Sequence, residues 1–221
     1  MRRSEEMDLR ERIFYDAAVM GADTDFWHFD TANFLADTVR NAMKIGDTGL
    51  AGHASSWSQY LFGDFEFALL LDSTVTDSND SGRHVGLRNI GDTLNRGAVY
   101  FDFAYDTTAG DSSPAARPLA AVCYDEQGNR QRENITWDTN WSGGGRLTRF
   151  RITWEADGYR FLINDSVVAT LGDRDSDQNA TGQVNTSIPQ ALRISKAGAD
   201  TTDTSPTALK YVLVRNTRVL I

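Results

Sequence analysis

Two aromatic segments carry the residue types from which sugar-binding sites are built. Trp137, Asn140 and Trp141 stand close together just before a triple glycine, and Trp57 precedes a strand-like segment. An exposed indole ring stacks on the C–H face of a sugar, while neighbouring amides and carboxylates bind its hydroxyls. The sequence therefore predicts a carbohydrate-binding surface at Trp57, Trp137, Asn140 and Trp141. The alternative is that these rings fill the interior or the ends of the fold.

An acidic stretch is the second candidate site. Asp173, Asp175 and Asp177 alternate along the chain, as the carboxylates of a helix–loop–helix calcium loop do. Gln178 replaces the turn glycine of such a loop and Val184 replaces its bidentate Glu, which disfavours that loop type. A looser oxygen cage for calcium at the three Asp residues remains a hypothesis, with a solvated acidic turn as the alternative. No other cofactor is expected.

Cysteine and histidine chemistry is limited in this chain. Cys123 is the only cysteine, which excludes an internal disulfide and a cysteine-ligated zinc site. It lies in the apolar segment 119–124, where cysteine usually packs as a small core residue. His28, His53 and His84 lack the spacing of metal ligands, so we expect ordinary surface or core histidines.

Charge and hydropathy restrict the partners. The net charge of −9 argues against nucleic acid or anionic lipid as a general partner, because both need clustered Lys and Arg. No segment is apolar and long enough to span a membrane, and the first residues lack the apolar run of a signal peptide. We therefore expect cytoplasmic synthesis without membrane insertion.

The segment 147–171 is the most informative part of the chain for the fold. Apolar residues alternate with polar ones along 148–154 and again along 159–163, which is the period of a half-buried strand. Asp157-Gly158 and Asn164-Asp165 supply turn residues that tolerate positive φ. The segment is predicted to form an antiparallel meander with one apolar face.

Strand patterns continue along most of the chain. Further strands are predicted at 65–71, 83–88, 98–105, 119–124, 132–137, 191–195 and 209–215, while 31–43 is ambiguous between helix and strand. About ten or more strands with polar turns and no βαβ alternation predict two stacked antiparallel sheets. The expected fold is an all-β jelly-roll sandwich.

The chain is predicted to hold one domain preceded by an arm. Residues 1–24 are expected to form the N-terminal arm and residues 25–221 the sandwich domain. Ser4 could cap a short helix in the arm, with Ile13 and Phe14 on its apolar edge. Such an arm would pack on its own sandwich or reach a neighbouring subunit.

The pattern resembles the concanavalin A-like lectin/glucanase superfamily over roughly residues 25–215. The resemblance rests on Gly63-Asp64-Phe65-Glu66-Phe67 at the head of a long strand, on the hairpin 150–165 and on the closing strand 209–215. It implies a jelly-roll sandwich, and members of the superfamily often carry calcium.

Laminarinase-like hydrolases of that superfamily share the strand motif Glu-x-Asp-x-x-Glu, in which one carboxylate attacks and another protonates the leaving oxygen. The segment of this chain most similar to that motif is 100–106. Only Asp102 fits the motif there, because Tyr100 and Tyr105 stand where the two Glu would be. Asp106 would lie about 13 Å from Asp102 along the same face of a strand. That distance exceeds the roughly 5.5 Å of a retaining pair.

Three functions are compatible with these residues. We expect a non-catalytic structural or surface component of a larger assembly, such as a virion capsid-decoration, tail or fibre protein, and not an enzyme. Its partners would be other subunits of an oligomer and a cell-surface glycan, and its location the virion or another external surface. The first alternative is a free carbohydrate-binding module. The second is a polysaccharide-active glycoside hydrolase, in which Asp102 would have to meet a carboxylate from a distant segment, for example Glu133 or Glu66.

Overall fold

The computed structural model confirms the all-β prediction. It describes residues 11–20, 28–29, 34–38, 41–45, 52–53, 64–71, 83–88, 96–103, 119–125, 128–136, 138–141, 146–155, 158–172, 191–196 and 208–215. Within these ranges the strands form two antiparallel sheets, and helical structure is limited to one turn at Ala17–Met20 (α1) and a 3-10 turn at Thr139–Trp141.

The strands are numbered in chain order. They are β1 (Glu11–Asp16), β2 (His28–Phe29), β3 (Phe34–Asp37), β4 (Ala42–Ile45), β5 (Gly52–His53), β6 (Asp64–Leu71), β7 (Arg83–Arg88), β8 (Val99–Asp102), β9 (Leu119–Tyr124), β10 (Arg130–Ile135), β11 (Arg146–Glu155), β12 (Gly158–Ile163), β13 (Ser166–Leu171), β14 (Ala191–Lys196) and β15 (Ala208–Arg215).

The first sheet has the order β13-β12-β11-β6-β15-β4-β3, and β1 also pairs with β15. The second sheet has the order β10-β9-β8-β7-β14-β5-β2. Strands distant in sequence are neighbours in both sheets, such as β6 with β15 and β7 with β14. This is the jelly-roll sandwich that the alternating pattern predicts.

Phenylalanine rings from both sheets form the centre of the core. Phe67 of β6 stacks on Phe150 of β11 with ring centroids 5.0 Å apart. Phe101 of β8, in the opposite sheet, meets the edges of these rings and that of Phe161, with centroid distances of 5.9 Å, 5.3 Å and 5.1 Å respectively. Full burial of each ring stabilises the fold by about 1.5–3 kcal/mol relative to an exposed ring.

Turn chemistry sets the register of the meander. Asn164 and Asp165 have φ values of 48° and 66°, as a tight hairpin turn between β12 and β13 requires. The Asn164 side chain also accepts a hydrogen bond from the Arg149 backbone N–H at 3.0 Å, which ties the turn to β11. Gly158 has a φ of 148°, and a Cβ there would lie 2.4 Å from the Leu171 carbonyl oxygen. Glycine is therefore required at this position, as the turn prediction anticipated.

The N-terminal segment differs from the predicted helix. Glu11–Asp16 is a strand that pairs with β15, so Ile13 and Phe14 stand opposite Val214 and Leu213. β-branched and aromatic residues favour this pairing on an open strand edge. Ser4 lies outside the described residues, and the arm boundary at residue 24 stays a prediction. The ambiguous segment 31–43 contributes strands β3 and β4.

The part of the chain described here contains no helix with the length and apolarity that crossing a membrane would require.

Cys123 is a core residue, as predicted, and it contacts the Gln131 side chain, which links the two sheets. Its thiol donates to Gln131 Oε1 at 3.6 Å, and the same oxygen accepts the Gly172 backbone N–H at 2.8 Å. Burial, with a smaller contribution from nearby Asp125, raises the pKa of the Cys123 thiol from 9.0 to about 12. The thiol is therefore protonated at neutral pH and a poor nucleophile.

The raised thiol pKa predicts that the fold loses stability in alkali. In the unfolded chain the thiol ionises near pH 9, whereas in the folded chain it does so only near pH 12. The free energy of unfolding should therefore fall as the pH rises from 9 to 12. Urea titrations at several pH values measure this slope, which should be shallower in Cys123→Ala. An equal slope in the variant would show that other groups cause the loss.

Gly86 allows β7 and β8 to approach closely, and replacing it should destabilise the second sheet. A Cβ at Gly86 would lie 2.3 Å from the Val99 carbonyl oxygen and 2.5 Å from Tyr100 Cβ. The backbone must shift to admit it, so Gly86→Ala should lower the free energy of unfolding by about 1–3 kcal/mol. Thr170→Ala, at an exposed position of β13, is the control and should change it by less than about 0.5 kcal/mol. Equal denaturation midpoints for Gly86→Ala and the unsubstituted protein would contradict the close approach.

Candidate functional site

The candidate site lies on the face of the second sheet that points away from the shared core, which we call the outer face. Side chains alternate along β8, so Val99 and Phe101 enter the core while Tyr100 and Asp102 lie on the outer face. Tyr100 packs there in a second, smaller cluster, whose members are Ala98, Tyr100, Ala120 and Val122, with Tyr124 against them.

Asp102 is the central charged group of the outer face. Its Oδ1 lies 3.4 Å from His84 Nε2, and its Oδ2 lies 3.5 Å from the Arg130 guanidinium. The Asp102 side chain is only 4% exposed, whereas those of His84 and Arg130 are 23% and 35% exposed. A ligand on this face would therefore reach His84 and Arg130, with Asp102 lying beneath them.

Aromatic rings continue the site on both sides of Tyr100. The His84 ring stacks on Tyr100 with centroids 4.6 Å apart and an interplanar angle of 30°. Tyr100 in turn lies 6.4 Å from the Tyr124 ring. The three rings fix the imidazole in position, and the missing side chain at Gly86, opposite Tyr100 in the ladder, lets the strands approach beneath them.

Strand β10 adds a second guanidinium. Arg132 is opposite Val122, an outer-face residue, and donates to the Asn134 side-chain oxygen two residues further on. Arg132 is half-buried, which restricts the motion of its side chain. Together with Arg130 it makes the β10 edge of the outer face basic.

The carboxylates that the sequence offered as partners of Asp102 do not meet it. Glu66 belongs to the first sheet, where it accepts a 2.5 Å hydrogen bond from the Tyr211 hydroxyl. Glu133 is opposite Ala121, a core-facing residue, and is therefore on the other face of the second sheet. Asp106 lies outside the described residues. Within the described strands of the outer face, Asp102 is the one carboxylate.

Asp125 has a structural role at the end of β9. It is 1% exposed and accepts the Asn129 backbone N–H and side-chain N–H, both at 2.7 Å. These bonds close the turn between β9 and β10, so they hold Tyr124 and Arg130 in register.

Only part of the predicted aromatic sugar-binding surface is described. Trp141 is half-buried and packs against the main core, and its carbonyl accepts the Thr148 hydroxyl at 2.6 Å. This packing matches the alternative in which a Trp fills an end of the fold. Asn140 is exposed and donates through its side chain to Asp138 at 2.9 Å. Trp57 and Trp137 lie outside the described residues, so the predicted surface stays a prediction.

The predicted calcium site at Asp173, Asp175 and Asp177 lies outside the described residues. The residues that the structure does describe include no group of three or more His, Cys, Asp or Glu side chains placed to hold a metal ion.

The sequence did not predict that His84 and Arg130 contact Asp102 in the candidate site. They come from strands β7 and β10, and only the register of the sheet brings them to Asp102. One available signal was the position of Asp102 itself, a charged residue within the apolar run Val99–Phe103. A carboxylate in such a run needs partners that compensate for its burial.

Comparison with known proteins gives structural matches alone. No protein-family model matches the chain, and no curated protein matches its sequence. The laminarinase catalytic domain from Thermotoga maritima MSB8 matches with a TM-score of 0.62 at 11% identity, over 95% of this chain and 98% of that one. The Crh5 transglycosylase in complex with NAG matches with a TM-score of 0.59 at 12% identity, over 93% and 84%. SCLam, a non-specific endo-beta-1,3(4)-glucanase from family GH16, matches with a TM-score of 0.58 at 12% identity, over 94% and 91%.

These structures correct one expectation. They belong to glycoside hydrolases and a transglycosylase, which contradicts the expectation that the chain is not an enzyme. They lend no support to a virion role. What they establish is a fold common to carbohydrate-acting proteins, and the resemblance noted in the sequence is confirmed at that level. The chain has the concanavalin A-like lectin/glucanase sandwich fold.

Proposed function

We propose that the chain cleaves glycosidic bonds of a polysaccharide on its outer face, with His84 as the proton carrier and Asp102 as the group that positions it. The observation that carries this proposal is the buried Asp102 carboxylate between His84 and Arg130. The enzymatic activities named for the structurally similar proteins give independent support for carbohydrate as the substrate.

The burial of Asp102 is the first argument. Removing a carboxylate from water costs several kcal/mol, and the cost is offset only by close opposite charges and hydrogen bonds. A sheet face that served only to meet solvent would have no need of such a group. Because charged residues are rarely buried unless they are paired, this carboxylate marks Asp102 and its two partners as the candidate site.

The difference in exposure between His84 and Asp102 supports these two roles. His84 keeps 23% of its side chain exposed and is within reach of a bound sugar, whereas Asp102 at 4% is covered. A carboxylate beside an imidazole holds the ring in one orientation, as in other His–Asp pairs that transfer protons. His84 would donate a proton to the bridging oxygen as the bond to the anomeric carbon breaks. A water molecule would then add its hydroxide to that carbon and return its proton to the imidazole.

This assignment differs from the paired-carboxylate mechanism of laminarinase-like enzymes. Tyr100 occupies the place of the first Glu in their motif, and Asp102 occupies the place of the Asp. Because the described part of the outer face supplies a single carboxylate, a retaining pair about 5–5.5 Å apart is not formed there. A histidine proton carrier accounts for the groups that this face does present.

The proposal predicts a large loss of activity when the histidine or its partner is changed. His84→Ala and Asp102→Asn should each lower kcat/KM on a cleaved polysaccharide by about 100-fold or more, because general acid–base catalysis contributes a factor of that size. Activity is measured as reducing ends released from a panel of neutral and anionic polysaccharides. Imidazole added to the buffer should restore part of the activity of His84→Ala and none of the activity lost in Asp102→Asn.

Glu133→Gln is the matched control for Asp102→Asn, because it also replaces a carboxylate by an amide in the second sheet. Glu133 is exposed and lies on the opposite face, so its substitution should leave activity unchanged. Thermal unfolding of each variant separates loss of fold from loss of chemistry. A folded His84→Ala variant with full activity would disprove the proposed role of His84.

A further inference from the structure

A row of register-matched residues crosses the whole second sheet at the level of Tyr100. It runs from Arg132 on β10 to His28 on β2, and passes Val122, Tyr100, Gly86, Arg193 and His53 on the way. We call it the central row. Six steps between neighbouring strands of about 4.8 Å give it a length of roughly 29 Å.

The central row is basic in a chain that is acidic. Its charged and titratable members besides Tyr100 are two arginines and two histidines, and none of its described positions is acidic. The neighbouring row contains Asp102 and His84, and Arg130 reaches Asp102 from the other side. The chain as a whole has 31 Asp and Glu against 22 Lys and Arg. The described positions of the outer face therefore carry more basic than acidic residues, although the chain as a whole is acidic.

The two guanidinium groups at the β10 edge are held in place. Arg130 is fixed by its ion pair with Asp102, and Arg132 by its hydrogen bond to the Asn134 side chain. A fixed guanidinium presents a planar set of donors that matches the oxygens of a carboxylate or a sulfate. Ordering of both side chains in advance lowers the entropy that binding an anion would cost.

We infer that the polysaccharide is anionic, that it lies across the strands along the central row, and that Arg130 and Arg132 bind its carboxylate or sulfate groups. This inference rests on the proposed function and names the substrate class of the same site. A polyanion placed along the row would pass the register positions of Arg193, His53 and His28 at one end of the sheet and would meet Arg130 and Arg132 at the other end. The reacting pair His84–Asp102 lies between them.

Binding to charged and neutral polysaccharides tests the inference without requiring cleavage. The probes are alginate, which carries carboxylates, dextran sulfate, which carries sulfate esters, and laminarin, which is neutral. Isothermal titration calorimetry at 50 mM NaCl should give measurable binding to at least one of the two polyanions. Raising the NaCl concentration to 500 mM should weaken this binding by roughly tenfold or more, because salt screens ion pairs. Laminarin should bind more weakly and with little salt dependence. The polyanion that binds more tightly identifies carboxylate or sulfate as the recognised group.

Variants locate the binding surface. Arg132→Gln and Arg193→Gln should each weaken polyanion binding by roughly five- to twentyfold, the loss of one charge-assisted hydrogen-bonding group. Arg149→Gln is the control, because Arg149 belongs to the first sheet and pairs with Asp165. Its substitution should leave binding unchanged.

Two results would overturn the inference. One is binding to both polyanions that is absent or no tighter than binding to laminarin, and the other is equal weakening by Arg149→Gln and Arg132→Gln, which would indicate unspecific attraction. If a variant unfolds, the inference is still tested by the unsubstituted protein, through its preference for polyanions over laminarin and the salt dependence of its binding. Failure of the proposed function gives a different result from failure of this inference. In that case polyanions bind along the central row, but no polysaccharide is cleaved.

Discussion

Strand β8 divides its side chains between two environments, and this alternation determines the rest of the site. Phe101 is locked in the core by the rings of Phe67, Phe150 and Phe161 from the opposite sheet. With Phe101 fixed inward, its neighbours Tyr100 and Asp102 must lie on the outer face. A slip of one residue would bury the carboxylate among phenylalanine rings, so the hydrophobic packing of the sandwich is also what positions its charged centre.

The fold was predictable from local pattern, because each strand shows its own period of two and each tight turn its own residues. The meander 147–171 and the turn at Asn164 and Asp165 illustrate this. The site was less predictable, because it depends on register between strands distant in sequence. Nothing in the sequence around His84 indicates that it stands opposite Asp102. The segment Glu11–Asp16 was misjudged for the same reason, since its strand conformation comes from pairing with β15 at the far end of the chain.

The departure from the acidic motif and the basic character of the outer face support one account. Where laminarinase-like enzymes place a Glu, this chain has Tyr100, whose ring stacks against His84. Asp102 is shared between His84 and Arg130, so the visible surface of the site is cationic although its centre is a carboxylate. Such a surface suits a substrate that supplies the negative charge itself. The proposed chemistry and the proposed substrate class therefore rest on the same arrangement of side chains.

In the proposed mechanism Asp102 acts through His84 and not directly on the sugar. A double-mutant cycle in kcat/KM on the cleaved polysaccharide tests it most directly, because residues that act as a unit have non-additive effects. The account predicts that His84→Ala/Asp102→Asn is no less active than His84→Ala alone. Multiplication of the two single losses in the double variant would contradict it, since it would show that the carboxylate and the imidazole act independently.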